Sequence, residues 1–375
     1  MPATDSPSKR RTTPRRLGLR PADDFSDAWA TWPRGGRPVA LREAARGFRG
    51  RLASQGAVRA VRTVPLFEAA YPRRFAFSGS AGGPAAYVTL VHRLIVVQFE
   101  DFGGRVRTLA WQPAFPQSVA LAPFWAQLRR RLGDWLAIEL LSGEVNTMIG
   151  ALALLGLRPE DVDYVACANL HGQDPGLLMG TIASAETPPR APFFPQARFL
   201  LQRSEVESMA SVHPTQWPWY VPAGMDDAIA DRLVLLEGDV ELGAGCALVA
   251  TPGQTEGTQS LCLATPAGLW IVTANGVAAD SWQPHLSRIP RVRRSAELYG
   301  REVVLKSSTV ADAVDHYDSM VKEKALADTN RDDPRWLNVF PTAELAPLRR
   351  QWPVVPTHVF GGLNHGLLTP PGRRA

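Results

Sequence analysis

The sequence has few cysteines and lacks several common functional motifs. Three cysteines occur among 375 residues. Cys167, Cys246 and Cys262 lie inside apolar, strand-like runs and form no CxxC pair. That context is typical of buried, reduced thiols and excludes a disulfide scaffold. There is no GxxxxGK(S/T) phosphate loop, no GxGxxG after a predicted strand and no short internal repeat, so nothing favours a nucleotide-binding or repeat protein.

Long apolar runs of membrane-spanning length are also missing, and the charge is unevenly placed. Lys+Arg 41 against Asp+Glu 36 gives a net charge of +5, and much of that surplus lies in residues 8–16. A basic tail is able to touch nucleic acid or anionic lipid, but this composition favours a solvated, disordered terminus. No apolar run follows the charges, so neither a secretory signal nor a membrane span is predicted. We expect a cytoplasmic protein with no nucleic-acid or membrane partner. Its oligomeric state does not follow from the sequence.

A hydrophobic content of 45% is sufficient for a large core. We predict three regions: a disordered basic tail at 1–23, an Arg/Ala/Pro-rich N-terminal extension at 24–83, and one α/β domain at 84–375. The extension carries a weak helical pattern between Leu41 and Leu52.

Strand-like and helix-like segments alternate through the predicted domain. The strands fall in two groups, each accompanied by helices, which predicts two sheets packed face to face between helices. The predicted strands are 86–91, 94–99, 106–111, 162–168, 198–202, 232–236, 247–250, 260–264, 269–273 and 303–305, and the predicted helices are 122–136, 144–155, 176–184, 204–211 and 311–327.

Three of these strands are followed by characteristic loops. The strand ending at Ala168 precedes Asn-Leu-His-Gly-Gln-Asp at 169–174. A second strand runs into Thr-Pro-Gly-Gln-Thr-Glu-Gly at 251–257, and a third ends in Thr-Ala-Asn-Gly at 273–276. In this order, the three loops resemble those of the metallo-β-lactamase superfamily. The resemblance covers about Val88 to His365 and implies an αββα sandwich of metallo-β-lactamase type.

The resemblance also implies that most metal ligands are replaced. The family loop reads His-x-His-x-Asp-His, and the corresponding residues here are Asn169, His171, Gln173 and Asp174. The family's Thr-Pro-Gly-His motif has Gln254 in place of the histidine. Its bridging aspartate corresponds to Asn275, or to Ala274 in the alternative register.

Neutral amides are poor ligands for Zn²⁺, which prefers imidazole, thiolate and carboxylate. The remaining candidates are His171, Asp174 and a C-terminal histidine, either His358 or His365. We therefore expect a single Zn²⁺ at most, or no metal, and a dinuclear centre is improbable. Asp174 has an alternative role as a helix cap before Pro175.

The four amides at Asn169, Gln173, Gln254 and Asn275 predict a polar pocket that orients a ligand through hydrogen bonds. His213 and Trp217 lie in an aromatic, proline-rich segment of the kind that covers an active-site mouth, although such a segment also packs against its own domain.

The resemblance implies a hydrolase-type enzyme, mononuclear or metal-free, acting on a small ester, lactone or amide metabolite, with a role in bacterial secondary metabolism. Residues 317–324 and 356–366 resemble a bacterial branch of metal-dependent hydrolases. In the metal-bound version His171, Asp174 and either His358 or His365 would hold the ion, which lowers the pKa of its bound water, and Gln173 or Asn275 would orient the substrate carbonyl. In the metal-free version His171 and Asp174 would do the acid–base work. The alternative is a catalytically inactive pseudoenzyme that serves as a ligand-binding or scaffold protein.

Overall fold

Two β-sheets packed face to face, with helices on both outer faces, form the fold and confirm the predicted αββα sandwich. The computed structural model describes residues 13–133, 142–183, 188–225, 228–307 and 312–370. The strands are β1 (Arg20–Ala22), β2 (Ala60–Pro72), β3 (Tyr87–Glu100), β4 (Val106–Trp111), β5 (Ser142–Glu144), β6 (Tyr164–Ala166), β7 (Arg198–Gln202), β8 (Leu233–Leu236), β9 (Asp239–Gly243), β10 (Cys246–Ala250), β11 (Gln259–Thr265), β12 (Gly268–Thr273), β13 (Val339–Pro341) and β14 (Ala343–Leu345). The helices are α1 (Ser26–Ala30), α2 (Arg37–Ser54), α3 (Arg73–Ala76), α4 (Pro116–Leu121), α5 (Pro123–Leu132), α6 (Met148–Leu154), α7 (Pro175–Met179), α8 (Arg203–Ser208), α9 (Val292–Leu298) and α10 (Ala313–Leu326).

The first sheet has the strand order β1-β9-β10-β11-β12-β13. The second has the order β5-β2-β3-β4-β6-β7-β8, with β14 paired to β3. In the second sheet β4, β6, β7 and β8 run parallel to one another, and in the first β12 and β13 do so. The carboxyl ends of parallel strands lie at the same edge of a sheet, where binding sites of such folds are commonly built.

The main apolar core lies between the two sheets, because inward side chains of both meet there. Val97 and Leu109 from one sheet pack with Leu248, Leu261 and Phe340 from the other, and all five are fully buried. Burying a side chain of this size stabilises the fold by about 1.5–3 kcal/mol.

Helix α2 covers the outer face of the first sheet. Its buried residues Leu41, Ala45, Phe48 and Leu52 recur at helical spacing and pack against α10 and the sheet. The helical pattern predicted between Leu41 and Leu52 is confirmed.

Residues 24–83 contribute to both sides of the sandwich. Their strand β2 pairs with β3 from Ala60 to Pro72, and α2 packs on α10. Residues 1–12 of the predicted tail lie outside the described residues, whereas Arg20–Ala22 pair with β9.

Three predicted strands are not observed as separate strands. The runs at 86–91 and 94–99 form one continuous strand, β3, because β2 pairs with it on both sides of their junction. The predicted strand at 303–305 is wrong. These residues form an irregular connection instead, in which the Val304 N–H donates to the Ser281 carbonyl.

The sheets are joined near the carboxyl end of β6 by Gln259, the first residue of β11. The Gln259 side-chain amide donates to the carbonyls of Cys167 and Leu200, 2.9 and 3.0 Å away, and its backbone N–H donates to Ala168. Across the described ranges, every helix is too short or too polar to traverse a bilayer.

Candidate active site

The three predicted loops meet at one end of the sandwich. The side chain of Asn169 reaches Thr258 in the second loop, with 3.4 Å between Nδ2 and Oγ1. The carbonyl of Gln254 accepts a hydrogen bond from Gln216, and the carbonyl of Asn275 lies 3.1 Å from His316 Nε2. The structure thus brings Asn169, Gln254 and Asn275 into one polar region, as the motifs predict.

Glu205 in α8 organises the first two loops. It is fully buried, and its carboxylate accepts hydrogen bonds from the Leu170 backbone, the Tyr220 hydroxyl and the Thr255 hydroxyl. Gly257 lies directly against it, so that a Cβ there would be 2.3 Å from the Glu205 backbone. Burial raises the pKa of Glu205, although these hydrogen bonds oppose that shift.

Glu323 in α10 organises the third loop in the same way, by accepting hydrogen bonds from it. Its Oε1 accepts hydrogen bonds from Ser260, Thr273 and Asn275, and its Oε2 accepts one from Trp282. The Asn275 amide nitrogen is held 2.7 Å from Glu323, which leaves Asn275 Oδ1 buried and without a hydrogen-bond partner among the described residues. An unsatisfied buried acceptor costs about 1–3 kcal/mol.

Helix α10 approaches the second loop through His316 and Ser319. The Ser319 hydroxyl donates to Pro252. A Cβ on Gly253 would lie 2.1 Å from the His316 backbone nitrogen, and Gly253 adopts a φ of +126°, so this position requires glycine.

His171 lies in the middle of this region. Its Nε2 is 3.0 Å from Gln216 Oε1, and its ring packs edge-on against Tyr220 with centroids 4.8 Å apart. Burial lowers the pKa of His171 to about 3, the hydrogen bond to Gln216 opposes this, and repulsion by Lys306 adds to it. The imidazole is therefore neutral at pH 7.

The bonding of Gln216 fixes the tautomer of His171. Because the Gln216 amide nitrogen donates to the Gln254 carbonyl, its Oε1 faces His171. An amide oxygen only accepts, so His171 Nε2 carries the proton and Nδ1 keeps its lone pair.

Asp174 caps the N-terminus of α7, which is the alternative role that the sequence predicts for it. Its carboxylate accepts a hydrogen bond from the Leu177 backbone at the start of α7 and pairs with Arg190 at 3.1 Å. Gln173, beside it, is buried.

The segment around His213 and Trp217 lies next to His171. His213 and Gln216 line a cavity of about 460 Å³, together with Tyr220 and Thr255. Trp217 is 54% exposed and lines a second cavity of about 320 Å³.

The two C-terminal histidines lie elsewhere in the fold. His358 stacks on Trp336, with ring centroids 5.3 Å apart. His365 pairs through its backbone with Val61 on β2. Within the described ranges, no group of three or more His, Cys, Asp or Glu side chains is arranged to hold a metal ion, so His171, Asp174, His358 and His365 are not brought together.

Lys306, which the sequence motifs do not indicate, also lies in this region. Its backbone N–H donates to Asn275, and its ammonium lies 5.3 Å from the centre of the Tyr71 ring. Burial lowers its pKa to about 8. Repulsion from Lys306 contributes to the lowered pKa of His171, His316 and His92, which places its charge near all three.

The residues present do not fit a Zn²⁺ centre. Amides occupy the ligand positions at Asn169, Gln254 and Asn275, and the Nε2 of His171 donates to an amide. The neighbouring ammonium of Lys306 would repel a dication. Cys167 adds no ligand here, because burial raises the pKa of its thiol.

Sequence motifs located the loops but missed four residues of the site: Glu205, Lys306, His316 and Glu323. Each acts through partners distant in sequence, so no local spacing identifies it. No local signal marks Glu205 or Glu323, because both lie in helices that are rich in polar residues.

No protein-family model matches this chain. A curated N-acyl homoserine lactonase from a Bacillus species is 30% identical over 124 residues, which cover 32% of this chain and 41% of that protein. A probable metal-dependent hydrolase from Staphylococcus aureus has a similar structure, with a TM-score of 0.48, 14% identity, and coverage of 72% of this chain and 84% of that one. A dizinc quorum-quenching lactonase gives a TM-score of 0.47, 11% identity, and coverage of 84% and 96%. The predicted αββα sandwich is itself seen in the two stacked sheets between helices.

Proposed function

We propose that this chain is a metal-independent enzyme of hydrolase type that acts on a small ester, lactone or amide. The observation that carries the proposal is the donor set: where the resemblance implies metal ligands, the structure has amide side chains, and those of Asn169 and Asn275 are engaged in hydrogen bonds to Thr258 and Glu323. The three loops have the order that the resemblance implies, but amides stand where it implies metal ligands.

Two groups at the centre are suited to act on a neutral carbonyl substrate. His171 keeps an unprotonated Nδ1, because its Nε2 donates to Gln216. We assign its Nδ1 the acceptance of a proton from the attacking water and the return of that proton to the alkoxide or amine that leaves as its bond to the carbonyl carbon breaks. Asn275 Oδ1 is a buried acceptor that lacks a donor among the described residues, and we assign it the positioning of that water or of a substrate N–H or O–H.

Asp174 has no catalytic part in this proposal, because its two oxygens are occupied by the α7 N-terminus and Arg190. Replacing Asp174 is expected to affect stability rather than turnover.

Metal analysis and a substrate panel test the proposal together. Protein purified without chelator is expected to contain less than about one-tenth equivalent of any transition metal. Hydrolysis of a panel of lactones, esters and amides is expected to be unchanged by EDTA or by added Zn²⁺. One equivalent of bound metal, with activity that EDTA removes, would instead support the mononuclear enzyme.

Variants at His171 test its role against a matched control. H171Q is expected to lose turnover with little change in melting temperature. H285Q, at an exposed histidine of a surface turn, should keep both. A large loss of stability in H171Q would show that this residue is structural.

A ligand-binding protein without turnover is the second candidate. It is favoured by the exposed Trp217, which lines a cavity with Met209, Val221 and Met225. Binding of a panel compound without hydrolysis, at full metal depletion, would support this candidate over the enzyme.

A further inference from the structure

Lys306 differs from the other lysines of the chain in its surroundings. The chain has four lysines among its 41 basic residues. Lys9 lies outside the described residues. Lys322 forms an ion pair with Asp239 at 2.8 Å, and Lys324 lies 3.8 Å from a carboxylate oxygen of Glu302. Among the described residues, no carboxylate forms an ion pair with Lys306, and burial is the cause of its lowered pKa.

The three histidines near Lys306 are neutral. Burial keeps the pKa of His171 and His92 at about 3 and that of His316 at about 4, so all three imidazoles are uncharged at pH 7. Other cations lie around the cluster: Arg93 pairs with Glu344, and Arg74 lies over the Phe75 ring, 4.5 Å from its centre. Among the described residues, no carboxylate offsets the removal of the Lys306 ammonium from water.

Aromatic side chains form a wall beside this charge. Trp219 stacks on Phe124, with centroids 4.6 Å apart, and contacts Phe75 at 5.7 Å and Tyr71 at 6.3 Å. His171 lies 6.5 Å from the same Trp219 ring. We call these residues, with Lys306, the Lys306 cluster. Phe75, Phe124, His171 and Lys306 are each partly exposed, so solvent reaches the cluster.

We propose that the Lys306 cluster binds the carboxylate of a small organic acid, with the ammonium of Lys306 pairing the carboxylate and Trp219, Phe124 and Phe75 contacting its apolar part. One ammonium beside aromatic rings matches a carboxylate monoanion, whereas a phosphate dianion is bound best where several N–H donors converge on it. Flat aromatic surfaces add apolar contact area for a hydrocarbon or aryl group. The inference deepens the proposed function, on which it rests for the substrate class: the preferred ester, lactone or amide carries a carboxylate, or releases one.

Calorimetric titration of the full chain with two probes of equal size tests this inference. Phenylacetate carries the charge, and phenylacetamide does not. Phenylacetate is expected to bind at least about tenfold more tightly, with an affinity that falls as salt rises. Inorganic phosphate is expected to bind much more weakly than phenylacetate. Equal binding of the two aryl probes, or tighter binding of phosphate, would overturn the proposal.

Two variants locate the binding site. K306M keeps the length of the side chain without its charge and is expected to lose at least about tenfold in affinity for phenylacetate while phenylacetamide is unaffected. K324M is the matched control, since Lys324 is also partly buried but has Glu302 beside it. Unchanged phenylacetate binding by K306M, or the same loss in K324M, contradicts the assignment.

Chemical labelling gives a second readout that needs no variant. Phenylacetate is expected to protect Lys306, and not Lys324, from acetylation, as measured by peptide mass spectrometry. Absence of protection at Lys306 despite saturated binding would place the ligand elsewhere. Because these measurements require no turnover, they remain informative if the proposed enzymatic activity fails, and activity without carboxylate selectivity would refute this inference alone.

Discussion

Lys322 and Lys306 are both withdrawn from water, but their neighbourhoods differ in one respect. Lys322 is fully buried, donates to both oxygens of Asp239 at 2.8 and 2.9 Å and to the Ala250 carbonyl at 3.0 Å, and lies 4.0 Å from the centre of the Phe25 ring. Lys306 has an aromatic ring beside it, at 5.3 Å, but no carboxylate among the described residues. The Lys322 ammonium makes three hydrogen bonds inside the protein, whereas the described residues offer the Lys306 ammonium none.

The difference separates a structural charge from one that is available to a ligand. A buried ion pair with satisfied hydrogen bonds holds β9, β10 and α10 in register. An ammonium without such a pair does not stabilise the fold in this way, so its presence in the site favours a role in binding.

Removing the partner of Lys322 is the strongest test of this comparison. D239A is expected to destabilise the protein by about 3–5 kcal/mol in urea unfolding, because it leaves a buried ammonium unpaired. D333A breaks a surface pair with Arg335 and serves as the control, with little or no change in stability expected, because water screens the pair. Equal effects of the two variants would mean that the buried pair contributes no more to the free energy of unfolding than the surface pair does.

Glu205 offers a second structural charge for comparison. E205A is expected to cost about 3 kcal/mol, because the Leu170 N–H and the Tyr220 and Thr255 hydroxyls lose their acceptor. E205Q keeps one acceptor oxygen and should cost less. Thermal and urea unfolding measure both, and an E205A protein as stable as the wild type would remove Glu205 from its assigned role.

The neutral state of His171 predicts a dependence of stability on pH. The folded pKa is about 3 and the unfolded value about 6.5, so the unfolded chain binds more protons between these limits. The free energy of unfolding should therefore fall as the pH drops from 6.5, by up to about 1.4 kcal/mol per pH unit for this residue. H171Q should reduce the slope between pH 7 and 5. An unchanged slope would show that His171 is protonated in the folded protein.

Removing the charge of Lys306 should have the smallest effect on stability. It should stabilise the protein, whereas D239A and E205A destabilise it. Its folded pKa of about 8 lies below the unfolded value of 10.5, so the unfavourable contribution is complete below pH 8 and disappears as the pH rises through 10.5. K306M is expected to be more stable than the wild type at pH 7 by roughly 1 kcal/mol, as measured by urea unfolding. A marked loss of stability would place Lys306 with Lys322 as a structural residue.

Much of the sandwich follows from local patterns. The strands at Val106–Trp111 and Arg198–Gln202 match their predicted bounds to the residue, because apolar and β-branched runs end there at clear turn signals. Strand β9 was not predicted. Its Asp239 and Glu241 look like solvent-facing residues in the sequence, but both are buried against basic partners, Lys322 and Arg51.

The candidate site was predictable only in part, for a related reason. Three loops were recognisable because each follows a strand and keeps its spacing of glycine and polar residues. The environment of Lys306 depends on Tyr71, Asn275 and His316, which come from three distant parts of the chain. The residues next to Lys306 in the sequence do not show that it has no carboxylate beside it among the described residues. Those next to Glu205 and Glu323 do not show which groups these buried carboxylates contact.

The position of Gln259 has a consequence for how a ligand enters. Its side-chain amide and its backbone N–H hold the strand after the Gln254 loop to Cys167 and Ala168, which follow β6, and to Leu200 in β7. Separating the sheets at this end would break three hydrogen bonds at once, so opening by a hinge between the two sheets is disfavoured. A ligand is therefore expected to enter from the surface, on the side where Trp217 is exposed.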